Sequence, residues 1–142
     1  MMALEIIQSI AICCTLIVTL FFSIRSAKLS KIENSLRINE SHRDLWLAGL
    51  SSGKIERIYK DDVDLQNEPI TDYEHRFVAL LLLHASNSFR AMNSGACVKI
   101  EGLNKDLKHF LSKPIPRAVW NKVNIYHDKH FAEHVRKLLE DK

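Results

Sequence analysis

Three histidines near the carboxyl end are the residues whose type and spacing come closest to a chemical site: His127, His130 and His134. On a single helix, at 100° per residue, they would fall within about 60° of one another, so their imidazoles could converge on a metal ion. The same arc borders the apolar stripe of that segment, where histidines commonly sit without a function. HExxH is absent, and no acidic side chain is clearly placed to complete a catalytic site. We therefore predict no metal and no cofactor, with these histidines as the alternative.

Other catalytic signatures are missing. Ser51-Ser52-Gly53-Lys54 lacks the glycine-rich lead of a phosphate loop, and Asp61, Asp62 and Asp64 lack the further ligands of a calcium loop. Cys97 has no catalytic motif around it, and Cys13 and Cys14 lie in an apolar run, so no disulfide framework is indicated. We expect no enzymatic activity.

The amino-terminal segment is the strongest signal in the sequence. Ile6–Ile24 carries no charge, and nineteen residues make roughly 28 Å of helix, close to the hydrocarbon thickness of a bilayer. The residues before it include no base, unlike a cleaved signal peptide. Arg25, Lys28 and Lys31 follow the run, so the positive-inside rule places the carboxyl side in the cytoplasm. We predict a single-pass anchor over residues 1–25 in the inner (plasma) membrane, with these three bases at the membrane interface.

Residues 26–50 are predicted to form a helical stalk, because no proline or glycine interrupts the sequence between Ile6 and Ala48. Seven residues at alternating spacings of three and four, five of them apolar, indicate a coiled-coil-like seam: Leu29, Ile32, Leu36, Asn39, Arg43, Trp46 and Leu50. Asn39 and Arg43 interrupt the seam, and a helix that docks on its own domain explains the pattern equally well. In the anchor, Gln8, Thr15 and Thr19 are candidate contacts with a neighbouring helix, as are Leu29, Ile32 and Leu36 in the stalk. The alternative is that the hydroxyl groups bond back to their own helix and that Gln8 lies near the membrane interface.

Residues 51–142 are predicted to form a cytoplasmic helical domain. Thr71-x-x-Glu74 is a capping box that opens a long apolar helix, Asp72 to Met92. Shorter helices are expected over residues 54–60 and 103–111, after Pro116, and over 131–139. The fold class is therefore all-α, with one transmembrane helix continuing into a bundle of about five helices.

Several spaced motifs resemble those of a known group of proteins. They are Asp44-x-Trp46-x-x-Gly49-Leu50, Thr71-x-x-Glu74-x-Arg76-Phe77, Pro116-x-x-x-Trp120 and Phe131-x-x-x-Val135. With the preceding membrane helix, this order is similar to small bacterial membrane-anchored helical proteins classed as domains of unknown function. The resemblance implies the fold and no activity, because its motifs are packing and capping signals.

The functional prediction is a membrane-tethered interaction or regulatory module without evident catalytic activity. Its expected partners are the lipid bilayer and either another protein or a second copy of the chain. Nucleic acid is excluded as a partner, because the net charge of +3 is small and the basic residues are dispersed. A metal-binding or catalytic domain and an accessory subunit of a larger membrane complex are the alternatives.

Overall fold

The computed structural model describes residues 2–99 and 102–140, with side chains from Glu5 onward. These ranges contain five α-helices and two 3-10 turns and no strand, so the predicted all-α fold is confirmed. The helices are α1 Met2–Ser51, α2 Asp72–Asn93, α3 Leu103–Ser112, α4 Pro114–Val123 and α5 Lys129–Glu140. The 3-10 turns are Glu56–Tyr59 and Asn124–Tyr126.

Helix α1 is one continuous element of 50 residues, about 75 Å long. Every side chain from Glu5 to Glu33 is exposed, whereas from Asn34 onward one face is covered by the rest of the chain. The helix ends where Gly53 takes a positive φ of 64°, a conformation that glycine adopts without steric cost. The predicted anchor and the predicted stalk are therefore parts of a single helix.

Helix α2 is the central element of the domain and starts as predicted. Thr71 Oγ1 accepts a hydrogen bond from the Glu74 amide at 3.2 Å, and Glu74 Oε2 accepts one from the Thr71 amide at 2.8 Å. The capping box satisfies amides at the end of the helix that have no partner within it. Phe77, Val78 and Leu82 then bury one side of α2 in the core.

Glu74 also forms a buried ion pair that the sequence analysis did not anticipate. Arg57 Nη1 donates to both Glu74 carboxylate oxygens at 2.9 Å, and Arg57 Nε lies 3.3 Å from Glu68 Oε2. The Glu74 side chain is 5% exposed and that of Arg57 22% exposed. The guanidinium thus joins the first 3-10 turn, the following loop and the start of α2.

The three later helices close the core over α2. Helix α4 begins at Pro114, two residues before the predicted Pro116, and a proline suits the first helical turn because its missing amide costs no hydrogen bond there. Helix α5 starts at Lys129, after Asp128, whose Oδ1 accepts from the amides of His130 and Phe131 at 3.0 and 3.2 Å. The fully buried side chains of these helices include Leu111, Ile115, Val119, Phe131 and Val135.

The short helix predicted over residues 54–60 is a 3-10 helix in the structure. Residues 54–60 contain a four-residue 3-10 turn, Glu56–Tyr59, and no α-helix. The segment still buries Ile55 and Ile58, as expected. A segment this short does not gain enough intrahelical hydrogen bonds to offset the cost of nucleating an α-helix.

Replacing Arg57 with alanine should destabilise the protein by about 3 kcal/mol, because the Glu74 carboxylate would remain buried without its cation. The measurement is chemical denaturation of the full chain in detergent, followed by circular dichroism. Arg37→Ala is the matched control. Both side chains of the ion pair between Arg37 and Glu33 are exposed, so losing that pair should reduce the stability by at most about 0.5 kcal/mol. Equal effects of the two substitutions would contradict the role assigned to Arg57.

Candidate functional site

The second half of α1 packs against α2, and the two helices run antiparallel. Contacts pair early residues of one helix with late residues of the other: the Gly49 backbone faces Phe77, His42 stacks on His84, and Ser52 Oγ lies 2.6 Å from the Tyr73 hydroxyl. A Cβ at Gly49 would lie 2.5 Å from Phe77 Cζ, so only glycine allows this approach without displacing a core ring. The covered face of α1 comprises Asn34, Ser35, Ile38, Leu45, Trp46 and Gly49.

Aromatic and imidazole rings line this interface. The His42 and His84 rings are 5.2 Å apart and inclined by 30°, and the Trp46 indole donates to His42 Nε2 at 2.9 Å. Trp46 stacks on Tyr59 at 5.4 Å with an interplanar angle of 22°. Burial raises the pKa of Tyr59 to about 12, so its hydroxyl stays neutral. The stack therefore joins α1 to α2 and to the first 3-10 turn.

Burial lowers the pKa of His84, and the charge on His42 lowers it further. Protonating both stacked rings would place two positive charges side by side in a partly dry interface. The neutral form of His84 is therefore the one that suits this contact.

The docking extends to the end of the domain that lies nearest the apolar segment. Asn34 Nδ2 donates to the Ala96 carbonyl at 2.8 Å, and the Val98 amide donates to Ser35 Oγ at 2.9 Å. Asn34 lies ten residues beyond Ile24, which is roughly 15 Å along a helix. The contacts begin close to the end of the apolar segment, so most of the predicted stalk is part of the helical domain.

A second face of α1 carries apolar side chains that remain largely exposed. Leu29, Ile32, Leu36, Leu47 and Leu50 are 51–60% exposed. Of the predicted seam only Trp46 lies on the covered face. The helix thus docks on its own domain, but, apart from Trp46, through residues other than the seam, which leaves the rest of the seam open. The predicted roles of Leu29, Ile32 and Leu36 as helix contacts stay predictions.

The apolar amino-terminal part of α1 is long and apolar enough to cross a membrane, and none of its most apolar 18-residue stretch is buried within the protein. Thr15 Oγ1 donates to the Ala11 carbonyl at 2.9 Å, and Ser9 Oγ donates to the Glu5 carbonyl at 2.9 Å. Both hydroxyls therefore donate their hydrogen bonds to backbone carbonyls of their own helix. The predicted contacts of Gln8, Thr15 and Thr19 with another helix stay predictions.

Arg25, Lys28 and Lys31 follow the apolar stretch on the same helix and are all exposed. None of them forms an ion pair within residues 2–99 and 102–140. Their side chains are therefore free to reach a lipid headgroup or another chain, and their role at the membrane interface stays a prediction.

The three late histidines do not share one helix, because α5 starts only after the Asp128 cap. His127 precedes α5 and packs on the Trp120 and Phe131 rings at 5.5 and 5.6 Å. His134 Nε2 lies 2.9 Å from Asn104 Oδ1. The assumption of a common helix was therefore wrong.

His130 lies in a groove between α2 and α5, beside Arg90 and Lys137. His130, Glu133 and His134 have the order H-x-x-E-H, a spacing known from zinc enzymes. Glu133 is instead 3.3 Å from Lys137 Nζ. Among the described residues no three His, Cys, Asp or Glu side chains are grouped so as to hold a metal ion.

Cys97 and Asp64 both lie in surroundings that suit a structural role. Cys97 is buried, and burial raises the pKa of its thiol, which reduces the fraction of reactive thiolate. Asp64 Oδ1 accepts from the Gln66 amide at 2.9 Å and Asp64 Oδ2 from the Asn67 side chain at 2.7 Å, so this acid closes a turn.

Sequence reasoning missed the histidine pair and the Arg57–Glu74 ion pair. No local spacing signals either one, because the partners lie 42 and 17 residues apart. The Asp128 cap had a signal: an aspartate directly before a basic, then apolar, helical segment is a common helix start.

Comparisons of the chain with family models, with curated proteins and with solved structures found no match. The resemblance to bacterial membrane-anchored helical proteins therefore stays a prediction, and the geometry alone supports the functional argument.

The lowered pKa of His84 predicts a loss of stability in acid. Because the folded state disfavours the protonated ring, the stabilisation is complete above the unfolded value of about 6.5 and is lost as pH falls through the lowered folded value. Between about pH 7.5 and 5.5 the melting temperature should therefore fall, and His84→Gln should reduce that fall.

The comparison is thermal melting of the full chain in detergent, followed by circular dichroism at both pH values. His109→Gln, on the exposed side of α3, is the matched control and should keep the parent's pH dependence. If His84→Gln melts with an unchanged pH dependence, the stacked histidines do not contribute as described.

Proposed function

We propose that the protein is a single-pass membrane-tethered interaction module whose helical domain lies on the cytoplasmic side of the plasma membrane. The observation that carries this proposal is the exposure of every side chain from Glu5 to Glu33 on an apolar helix. A core helix of a soluble protein buries such residues against its own domain. Here the domain packs only on the later part of α1. The apolar side chains of the earlier part are best solvated by the hydrocarbon of a bilayer.

The distribution of charge supports the proposed orientation. The described part of α1 before the apolar run has one charged side chain, that of Glu5. Three basic residues follow the run within seven residues. Lysine and arginine next to a membrane span favour the cytoplasmic side. The same bases are attracted to anionic headgroups of the inner leaflet, by about 1 kcal/mol each.

The way in which the domain docks supports an interaction role. The domain packs on the same helix that enters the bilayer, and its contacts start roughly 15 Å beyond the apolar run. Because α1 has no break between the two parts, the domain is held at a fixed height and angle over the membrane. A tether of this kind presents defined surfaces to a partner in the same membrane.

Membrane insertion is tested by two charged substitutions in the centre of the span, Ile12→Lys and Leu16→Lys together. Each lysine costs roughly 2.5–3.5 kcal/mol at a bilayer centre, so the variant should leave the membrane pellet on alkaline extraction while the parent stays. Leu47→Lys, on an exposed position of α1 beyond the span, is the matched control and should stay in the pellet.

Orientation is read from reporters fused after Lys142. A cytoplasmic fluorescent reporter should be active, and a phosphatase that works only outside the cytoplasm should be inactive. An active phosphatase would contradict the orientation, and extraction of the parent chain by alkali would contradict the tether.

A further inference from the structure

The open face of α1 has the geometry of a helix-pairing surface. Leu29, Ile32 and Leu36 are 51–59% exposed and lie on one side of the helix. At 100° per residue, this side is turned by roughly 130° from the face that packs on α2. A second helix could therefore lie along it without displacing the domain. Below, this face from Leu29 to Leu36 is called the open stripe.

The spacing of the open stripe continues into the apolar segment in the same phase. Counting back from Leu29 by alternating steps of four and three residues reaches Arg25, Phe22, Val18, Thr15, Ala11 and Gln8. Small and polar residues such as Ala11, Thr15 and Gln8 are typical of helix contacts inside membranes, where bulky side chains keep backbones apart. The helix that carries both parts is unbroken. One seam thus runs through the span and out of it.

The charges beside the open stripe specify the relative direction of the two helices. With Leu29 and Leu36 at a positions and Ile32 at d, Lys28 occupies a g position and Glu33 the following e position. In a parallel pair, each g residue faces the e residue of the next heptad on the other helix, so Lys28 of each copy meets Glu33 of the other. Two copies inserted in one membrane with one orientation are necessarily parallel.

Both side chains are available for this contact. Lys28 is exposed and forms no ion pair within residues 2–99 and 102–140. Glu33 is exposed and receives a hydrogen bond from Arg37 at 2.9 Å on its own helix. A carboxylate can accept from more than one donor, so this bond leaves room for the lysine of a second copy.

A second copy also fits the surroundings of the open stripe better than lipid does. The stripe starts after Arg25 and Lys28, outside the hydrocarbon region, so lipid chains do not cover its leucines. We propose that the open stripe is a homodimer interface, in which two copies pair as a parallel coiled coil that continues into the membrane through Thr15, Ala11 and Gln8. This inference rests on the proposed membrane tether, because the membrane brings the copies together in parallel.

Cysteine crosslinking in native membranes tests the interface. Cys13 and Cys14 are replaced by alanine, and the buried Cys97 is kept. Oxidation should give dimers for Ile32→Cys and Leu36→Cys, at least several-fold more than for Ser30→Cys and Arg37→Cys, which point away from both the open stripe and α2. Equal crosslinking at all four positions, or none at the first two, would overturn the proposal.

The ion pair is tested by a charge exchange in the Ile32→Cys chain. Glu33→Lys should reduce the dimer roughly two- to fivefold, because it sets Lys28 against a second lysine. Adding Lys28→Glu should restore the dimer, whereas Arg37→Ala, which removes only the intrachain partner of Glu33, should leave it unchanged. If the double exchange does not restore crosslinking, the parallel register is wrong.

Alkaline extraction of the same membranes separates the two proposals. A chain that stays in the pellet and does not crosslink contradicts the dimer alone. A chain that is extracted contradicts the tether.

Discussion

The antiparallel packing of the second half of α1 on α2 is the contact on which the rest of the structure depends. The two helices approach closely where the Gly49 backbone faces Phe77, and the His42 and His84 rings stack between them. The contact is extended toward the apolar segment by the bond from Asn34 to Ala96. Without this contact, α1 would be a spacer and the domain would move independently of it. With it, the helix that carries the candidate membrane span is also one wall of the domain.

The side chains of this single helix differ between its two parts. The first part presents apolar residues on all sides and has no partner among the described residues, as expected of a helix solvated by lipid. The second part buries one face against α2. Another face of α1 keeps leucines that the domain leaves uncovered. Exposed apolar residues in a line, and not scattered singly, indicate a surface that binds something.

Much of the fold could be predicted from the sequence, because its signals are local. The apolar run, the Thr71–Glu74 capping box and the terminating Ser-Ser-Gly each depend on residues within a few positions of one another. The short helix expected over 54–60 is a 3-10 helix over Glu56–Tyr59, because two buried isoleucines fit a 3-10 turn as well as an α-helix. The late histidines were placed on one helix because the Asp128 cap was not recognised.

The face by which α1 docks was beyond sequence reasoning. The strongest apolar spacing selected Leu29, Ile32 and Leu36, whereas the domain covers Asn34, Ser35 and Ile38 together with Gly49. Asn34 and Ser35 form part of this face because they hydrogen-bond to backbone groups of Ala96 and Val98, which are more than 60 residues away in the sequence. A pattern of apolar spacing does not detect such contacts. The same applies to Arg57 and Glu74, whose pairing depends on how the chain returns to α2.

The central claim is that the domain is fixed on α1 while α1 is in the membrane. Spin labels at Glu40 on α1 and Asn87 on α2, both exposed positions, report on it directly by pulsed dipolar spectroscopy. The full chain, with Cys13 and Cys14 replaced by alanine, is reconstituted in lipid vesicles and diluted with unlabelled protein, so that only distances within one chain are measured. We predict a single narrow distance distribution. A broad or two-component distribution would show that the domain leaves the helix and would contradict the account.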